Sequence, residues 1–223
     1  MGTVPSNTAL QAFFFTDFPN SYIPNILEEV YKQKIYQPLL QGKKDLVIVE
    51  IGANVGLVSY YFKDYAKTVY AIEPSQRHLE CLNSMIKQNQ IENIVVCPYA
   101  ISNKNGKEKF YHSSNTTAYS LKSVVNDTRD FEEVETKTWD NFVTENNIGE
   151  IDLLKLDAEG AEDIIIAFEG FQRLSTKIKV ICGEWHTWSG FSKELFTNTL
   201  SDLGFDVSWL RQTDASVFVA ERR

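Results

Sequence analysis

Short apolar runs alternate with amphipathic ones along most of the chain. Leu46–Ile51 is apolar except for Glu50, the pattern of a strand buried on both faces. Leu57–Tyr65 reads as a helix and Thr68–Ile72 as the next strand. Ser75 stands where it can cap a helix running to Asn89, with Leu79, Leu82 and Ile86 on one face. Asn93–Cys97 is a third strand. Ile151–Leu156, Ile178–Gly183, Phe205–Leu210 and Ser216–Ala220 follow, with helical stretches near 161–170 and 192–203. Only Arg211–Asp214 separates the last two strands. A parallel crossover needs roughly a dozen residues, so this pair must be an antiparallel hairpin.

The pattern predicts an α/β fold: a mostly parallel central sheet, an antiparallel C-terminal hairpin strand, and helices on both faces. Residues 1–43 read as an N-terminal helical extension, with one or two helices over 21–42 and Pro24 and Pro38 near their ends. Residues 44–223 form the main domain. Residues 106–138 interrupt its alternation: Lys107–Tyr111 and Glu132–Thr136 read as an extra strand pair around the polar segment 113–130. Such an insertion on a rigid scaffold is a natural place for substrate selection.

Composition narrows the partners. The chain has 223 residues, 43% of them hydrophobic, enough for a full core. A net charge of −8 argues against a nucleic-acid-binding surface. Cys81, Cys97 and Cys182 are odd in number and widely spaced, as reduced, buried thiols are. Phe13-Phe14-Phe15 is too short for an export leader, and no apolar run approaches a membrane span. The expectation is a soluble cytoplasmic protein with neither membrane nor nucleic acid as partner; a homo-oligomer stays open. The sequons at Asn115-Thr116-Thr117 and Asn126-Asp127-Thr128 are then chance matches.

VEIGANVGLVSYYF, residues 49–62, carries the first candidate site: a strand, a glycine turn and a helix. Ligands of such sheets bind at the carboxyl ends of strands, where strand order reverses. Gly52 and Gly56 permit a tight turn and close backbone approach by a ligand. A dinucleotide fingerprint would read G-x-G-x-x-G; here the spacing is E-x-G-x-x-x-G. Glu50 would repel a pyrophosphate and attract a ligand with a sulfonium and an ammonium group, a description that S-adenosylmethionine fits. Glu73 closes the second strand and can accept hydrogen bonds from ribose hydroxyls, or can favour the dipole of the next helix. Ala100 and Ile101, at a third strand end, can flank an adenine or form an ordinary strand-to-loop transition.

IDLLKLDAEGAE, residues 151–162, carries the second. So many charges at the end of a buried strand are costly unless they pair or do chemistry. Asp157 is best placed to face the cleft, and Gly160 allows a sharp turn. Glu159 and Glu162 can serve chemistry or the next helix's dipole, and Lys155 can neutralise the carboxylates. One strand over, VICGEWH brings Glu184 and His186 to the neighbouring strand end. His186 has the ordinary pKa to remove a hydroxyl proton near neutral pH. The competing readings are a divalent-metal site of Asp157, Glu184 and His186, and a loop histidine with a structural partner. Trp185 and Trp188 can wall the pocket or belong to the core.

Together VEIGANVG, YAIEPS, the AISNKNG turn (100–106), EVETKTWDNF (133–142) and LLKLDAEGAE resemble the FkbM-type methyltransferases, within the Rossmann-like class I S-adenosylmethionine-dependent fold. The resemblance runs from Leu46 to His186, with Trp139 standing where the family usually has Leu. It implies methyl transfer, typically to oxygen on sugars, polyketides or other natural products, with cofactor contacts at Glu50, Gly52, Asn54 and Glu73. Added to the residues read above, the candidate cofactor set is Glu50, Gly52, Asn54, Gly56, Glu73, Ala100 and Asp157. The candidate catalytic set is His186, Asp157 and Glu159. Two rival readings are an NAD-type oxidoreductase and a non-catalytic binding or scaffold protein with the same fold.

Overall fold

A computed structural model describes residues 23–112, 119–122, 130–210 and 215–223. The central sheet has seven strands: β1 (Leu46–Ile51), β2 (Ala66–Ile72), β3 (Ile94–Cys97), β7 (Leu153–Leu156), β8 (Val180–His186), β9 (Phe205–Trp209) and β10 (Ala215–Arg222). Their order is β3-β2-β1-β7-β8-β10-β9. β3, β2, β1, β7 and β8 run parallel. β10 is antiparallel to both β8 and β9, so it inserts between them. That is the antiparallel hairpin strand read from the short 211–214 link, whose own residues lie outside those described.

The helices cover both faces. Along β1, Leu46 and Ile48 enter one core cluster and Val49 and Ile51 the other, following the period of two. The first cluster is filled from α1 (Ile23–Leu27), the π turn Glu28–Lys32, α2 (Gln37–Leu40), α3 (Leu57–Phe62) and α4 (Gln76–Gln88). The second is filled from α5 (Trp139–Glu145), α6 (Glu162–Ile166), α7 (Glu169–Leu174) and α8 (Lys193–Asp202). Residues 23–40 therefore share a core with β1. Tyr31 is tied to α3 by a 2.8 Å hydrogen bond from its hydroxyl to the Leu57 carbonyl.

A second, three-stranded sheet contains β4 (Ala100–Ser102), β5 (Gly106–Tyr111) and β6 (Phe131–Thr138) in the order β4-β6-β5. β5 and β6 are the antiparallel pair read from the sequence. β4, parallel to β6, was not anticipated as a strand; three residues are too few to show a period. Two other boundaries moved for visible reasons. β2 begins at Ala66 because the Asn93 amide donates 2.9 Å bonds to the carbonyls of Lys63 and Ala66, closing the end of α3 and opening the strand. β8 runs on to His186 because β10 pairs with it that far, Ala215 opposite His186.

Candidate active site

The chain builds outward from β1 in two directions, to β2 and β3 and then to β7 and β8, so the connections leave opposite sides of the sheet at β1 and β7. A crevice forms at the carboxyl ends of strands at such a switch point. There the protein has a cavity of about 580 Å³. The ends of β1, β2, β7 and β8 form its base, β4 and β5 one side, and residues 25–36 another.

At the β1 end the register places Glu50 opposite Lys155 of β7. Glu50 is fully buried and accepts a short hydrogen bond from the Ser59 hydroxyl of α3. Its other oxygen, Oε1, makes no hydrogen bond and lies 3.8 Å from Lys155 Nζ. Lys155 also reaches the Gly52 carbonyl at 3.2 Å and Asp157 Oδ2 at 3.1 Å. Burial pushes the Glu50 carboxyl up to about 7, partly offset by the Lys155 charge and the Ser59 hydrogen bond. Burial alone would lower the Lys155 ammonium, but Asp157 and Glu50 outweigh it and hold it above its ordinary value.

Two glycines shape the turn for different reasons. Gly52 has φ +81°, and a Cβ there would lie 2.0 Å from the Asp157 carbonyl oxygen. Its bare Cα lets the β1 and β7 ends close together beside the cavity. Gly56, with φ +91°, faces α4, where a Cβ would meet Leu82 Cδ1 at 2.5 Å. Asn54, between them, also has positive φ, +50°. Its amide donates a 2.8 Å hydrogen bond to Glu73 Oε2. Glu73 Oε1 accepts from the Ser75 amide at 2.9 Å and meets His78 Nδ1 at 3.1 Å. Glu73 thus ties the first turn to the start of α4 while lining the cavity.

At the β7 end, each residue of K-x-D-x-E-G-x-E has a separate task. Glu159 and Gly160 take left-handed backbone, φ +50° and +94°, and reverse the chain beneath Trp188, whose ring leaves no room for a Cβ on Gly160. Glu162, fully buried at the start of α6, fastens this turn: its Oε1 accepts from the amides of Ala158 and Gly160, both at 3.1 Å. The same oxygen lies 2.9 Å from His186 Nδ1. His186 Nε2 lies 3.5 Å from Glu159 and 3.8 Å from Glu184. Burial opposes the histidine's charge, but the hydrogen bond to Glu162 and the surrounding carboxylates raise its pKa to about 10. Burial and the neighbouring Asp157 charge push Glu159 up to about 8, against the pull of His186.

The sequence profile of the family described as Methyltransferase FkbM domain matches residues 50–207, well over half of the chain. The chain belongs to the FkbM methyltransferase domain family. Its fold is shared with solved methyltransferases at low identity. The METTL16 MTase domain superposes with a TM-score of 0.58 at 11% identity, covering 90% of this chain and 69% of that one. SMU.1697c from Streptococcus mutans, solved in complex with SAH, gives 0.55 at 9% identity, covering 86% and 97%. An rRNA methylase from Streptococcus thermophilus gives 0.51 at 11%, covering 85% and 94%. No curated protein matches. The architecture is thus the Rossmann-like class I methyltransferase fold, and the FkbM match supports S-adenosylmethionine-dependent methyl transfer.

The residues of this FkbM domain fit that cofactor. The fully buried Glu50 keeps one carboxylate oxygen without a hydrogen-bond partner, a group that suits an ammonium better than a pyrophosphate. Apolar Ile72, Pro74, Ala100 and Ile101 line the stretch beyond Glu73. Of the cofactor residues read from sequence, Glu50, Gly52, Asn54, Glu73, Ala100 and Asp157 line the cavity. Gly56 does not line it; a side chain there would meet Leu82 and Met85 of α4.

Of the candidate catalytic residues, Asp157, Glu159 and His186 all line the cavity and converge. His186, read as the proton acceptor, has its Nδ1 engaged by Glu162 and its Nε2 3.5 Å from Glu159 and 3.8 Å from Glu184. The compact ligand-type group is Asp157, Glu159 and His186, so Glu159 takes the place anticipated for Glu184, which stands beside it. Trp188 lines the cavity, whereas Trp185 packs in the core near Trp209, ring centroids 6.2 Å apart. Unanticipated wall residues are His78, Phe110, Tyr119 and Tyr36. His78 stacks on Tyr119 at 5.0 Å, and Tyr119 on His112 at 4.5 Å. The sequons, Phe13–Phe15 and most of segment 113–130 lie outside the described residues. Among those described, no helix is long and apolar enough to cross a membrane.

Proposed function

We propose that this chain is a cytoplasmic S-adenosylmethionine-dependent O-methyltransferase acting on a hydroxyl of a sugar or other small natural product. The observation that carries this reading is one continuous cavity with two chemically different ends. The end between Glu73 and Ile101 suits a nucleoside: a carboxylate for ribose hydroxyls and apolar side chains for a base. Glu50 and Asp157 would take the ammonium group. The other end is walled by Asp157, Glu159 and His186 and suits a nucleophile that must be oriented and relieved of a proton.

When bound, the cofactor supplies an electrophilic methyl group. The protein's own contribution is mainly placement, which can contribute roughly 7–11 kcal/mol in favourable cases. Asp157 and Glu159 accept hydrogen bonds from the acceptor hydroxyl and fix its approach. A carboxylate of this pair receives its proton, with His186 held beside it through Nδ1 by Glu162. Residues 25–36 close the acceptor side. Ile35 and Tyr36 line both the main cavity and an adjoining apolar one of about 230 Å³, which gives room for an apolar extension of the acceptor.

The test is transfer of labelled methyl from S-adenosylmethionine to a panel of hydroxyl-bearing sugars and polyketides, beside matched amines. Label on oxygen, lost in Asp157→Asn, supports the reading. Label only on nitrogen, or no transfer while NAD binds, ends it.

A further inference from the structure

We propose that Asp157, Glu159 and His186 form a divalent-cation site facing the cavity, held in shape by Glu162. The inference uses the reading above only to give the cation a purpose. One ligand atom from each of the three residues lies within 4.8 Å of the others. Donors across a first-row cation sit about 4.2 Å apart and adjacent donors about 3 Å, from metal–ligand distances near 2.1 Å. Small side-chain rotations close that gap.

Proximity of carboxylates alone would mean little; the histidine supplies an independent sign. His186 is 2% exposed, and its Nε2, which makes no hydrogen bond among the described residues, points toward Glu159 at 3.5 Å and Glu184 at 3.8 Å. Its Nδ1 is fixed. Glu162 Oε1 already accepts two backbone amides, so it acts as an acceptor and Nδ1 must be the donor. A carboxylate on one ring nitrogen with the other nitrogen aimed at further carboxylates is how proteins orient a metal-binding histidine. Asp157 Oδ1 is also buried without a hydrogen-bond partner.

The charge balance agrees. Asp157, Glu159, Glu162 and Glu184 surround one imidazole. The nearby ammonium, Lys155, is already shared among Glu50, Asp157 and the Gly52 carbonyl. A cation in this corner would offset carboxylate charge. A proton on Nε2 supplies one charge; a divalent ion supplies two and binds the carboxylates directly. One imidazole with two carboxylates suits a first-row divalent ion such as Mn²⁺ better than Ca²⁺. Its remaining positions would open on the cavity, where an acceptor oxygen can enter.

The experiment titrates the metal-stripped full chain with Mn²⁺, reading free ion by its paramagnetic resonance signal. The prediction is one Mn²⁺ per chain with a dissociation constant below about 1 mM. Glu159→Gln and His186→Gln should each weaken binding at least about tenfold. Glu162→Gln, which touches no metal, should weaken it about tenfold by freeing the ring. S-adenosylhomocysteine binding and circular dichroism on the same samples report folding. If one variant fails to fold, wild-type stoichiometry and the remaining variants decide. Wild type that binds the nucleoside but no Mn²⁺, or variants that bind it equally well, overturns the cation site and leaves the methyltransferase reading standing. Mn²⁺ binding without nucleoside binding supports the site and sinks that reading.

Discussion

Glu50 and Lys155 face each other across adjacent parallel strands, Oε1 to Nζ 3.8 Å, both sealed from solvent. The negative charge beside the Gly52 turn is therefore a compensated one. Burial outweighs the Lys155 charge and favours the neutral form of this carboxyl, which glutamine mimics. On the proposed function, Glu50 is kept for the ammonium group of the cofactor. Glu50→Gln should be at least as stable as wild type at pH 8 yet bind S-adenosylmethionine about tenfold or more weakly, by calorimetry. Loss of stability with unchanged affinity would make Glu50 a structural residue.

The same carboxyl gives a pH signature. It faces Lys155, Ser59, Asp157 and Glu73, and burial raises it from 4.5 to about 7. The folded state then holds a proton that the unfolded chain has released, so this group's contribution to stability falls as pH rises from 4.5 to about 7 and levels off above. Urea denaturation at intervals from pH 5 to 8 should show that decline in wild type, and the difference from Glu50→Gln should carry it. Curves that stay parallel across the range would contradict the assignment.

The two turn glycines should separate. At Gly52 a methyl would collide with backbone of the neighbouring strand end, so Gly52→Ala should displace Asp157 and abolish cofactor binding. At Gly56 the obstacles are the ends of Leu82 and Met85, which can yield. Gly56→Ala should cost about 1–3 kcal/mol, mostly from positive φ, and keep cofactor affinity within a few-fold. Thermal melts and calorimetry on both variants check this. Equal effects on affinity would restore Gly56 to the binding site.

Those glycines also mark where the sequence stopped being legible. The strands of the central sheet could be read because burial on both faces leaves continuous apolar runs, and the final hairpin because four linking residues permit nothing else. A glycine's partner cannot be read so: Gly56 answers to Leu82 and Met85, a whole βα unit away. Glu162 reads from sequence equally as a chemical residue or as one serving a helix dipole, and only the β7–β8 pairing shows it fastening His186 from 24 residues off. The wall formed by residues 25–36 carries no motif. Its place follows from Tyr31 and its neighbours packing against α3, a tertiary contact.

That wall yields a prediction about selectivity. Ile35 is 37% exposed and borders both cavities. Ile35→Asp should raise the KM for an accepted hydroxyl substrate about tenfold, with the dissociation constant for S-adenosylmethionine unchanged. Steady-state kinetics beside calorimetry distinguish the two. A shift in cofactor affinity alone would place Ile35 on the nucleoside side.

Glu73 should act at both levels. Its carboxylate holds the Asn54 and Ser75 amides and meets His78, and it lines the cavity. Glu73→Ala should weaken S-adenosylhomocysteine binding at least about tenfold and lower stability by about 1–3 kcal/mol. Glu73→Gln should recover part of the stability and little of the affinity.

The central claim is tested most directly by calorimetric titration of the purified chain with S-adenosylmethionine, S-adenosylhomocysteine and NAD in parallel. The two sulfur nucleosides should bind one per chain, and NAD should give no heat of binding. Firm uptake of NAD with neither sulfur nucleoside bound would contradict the account.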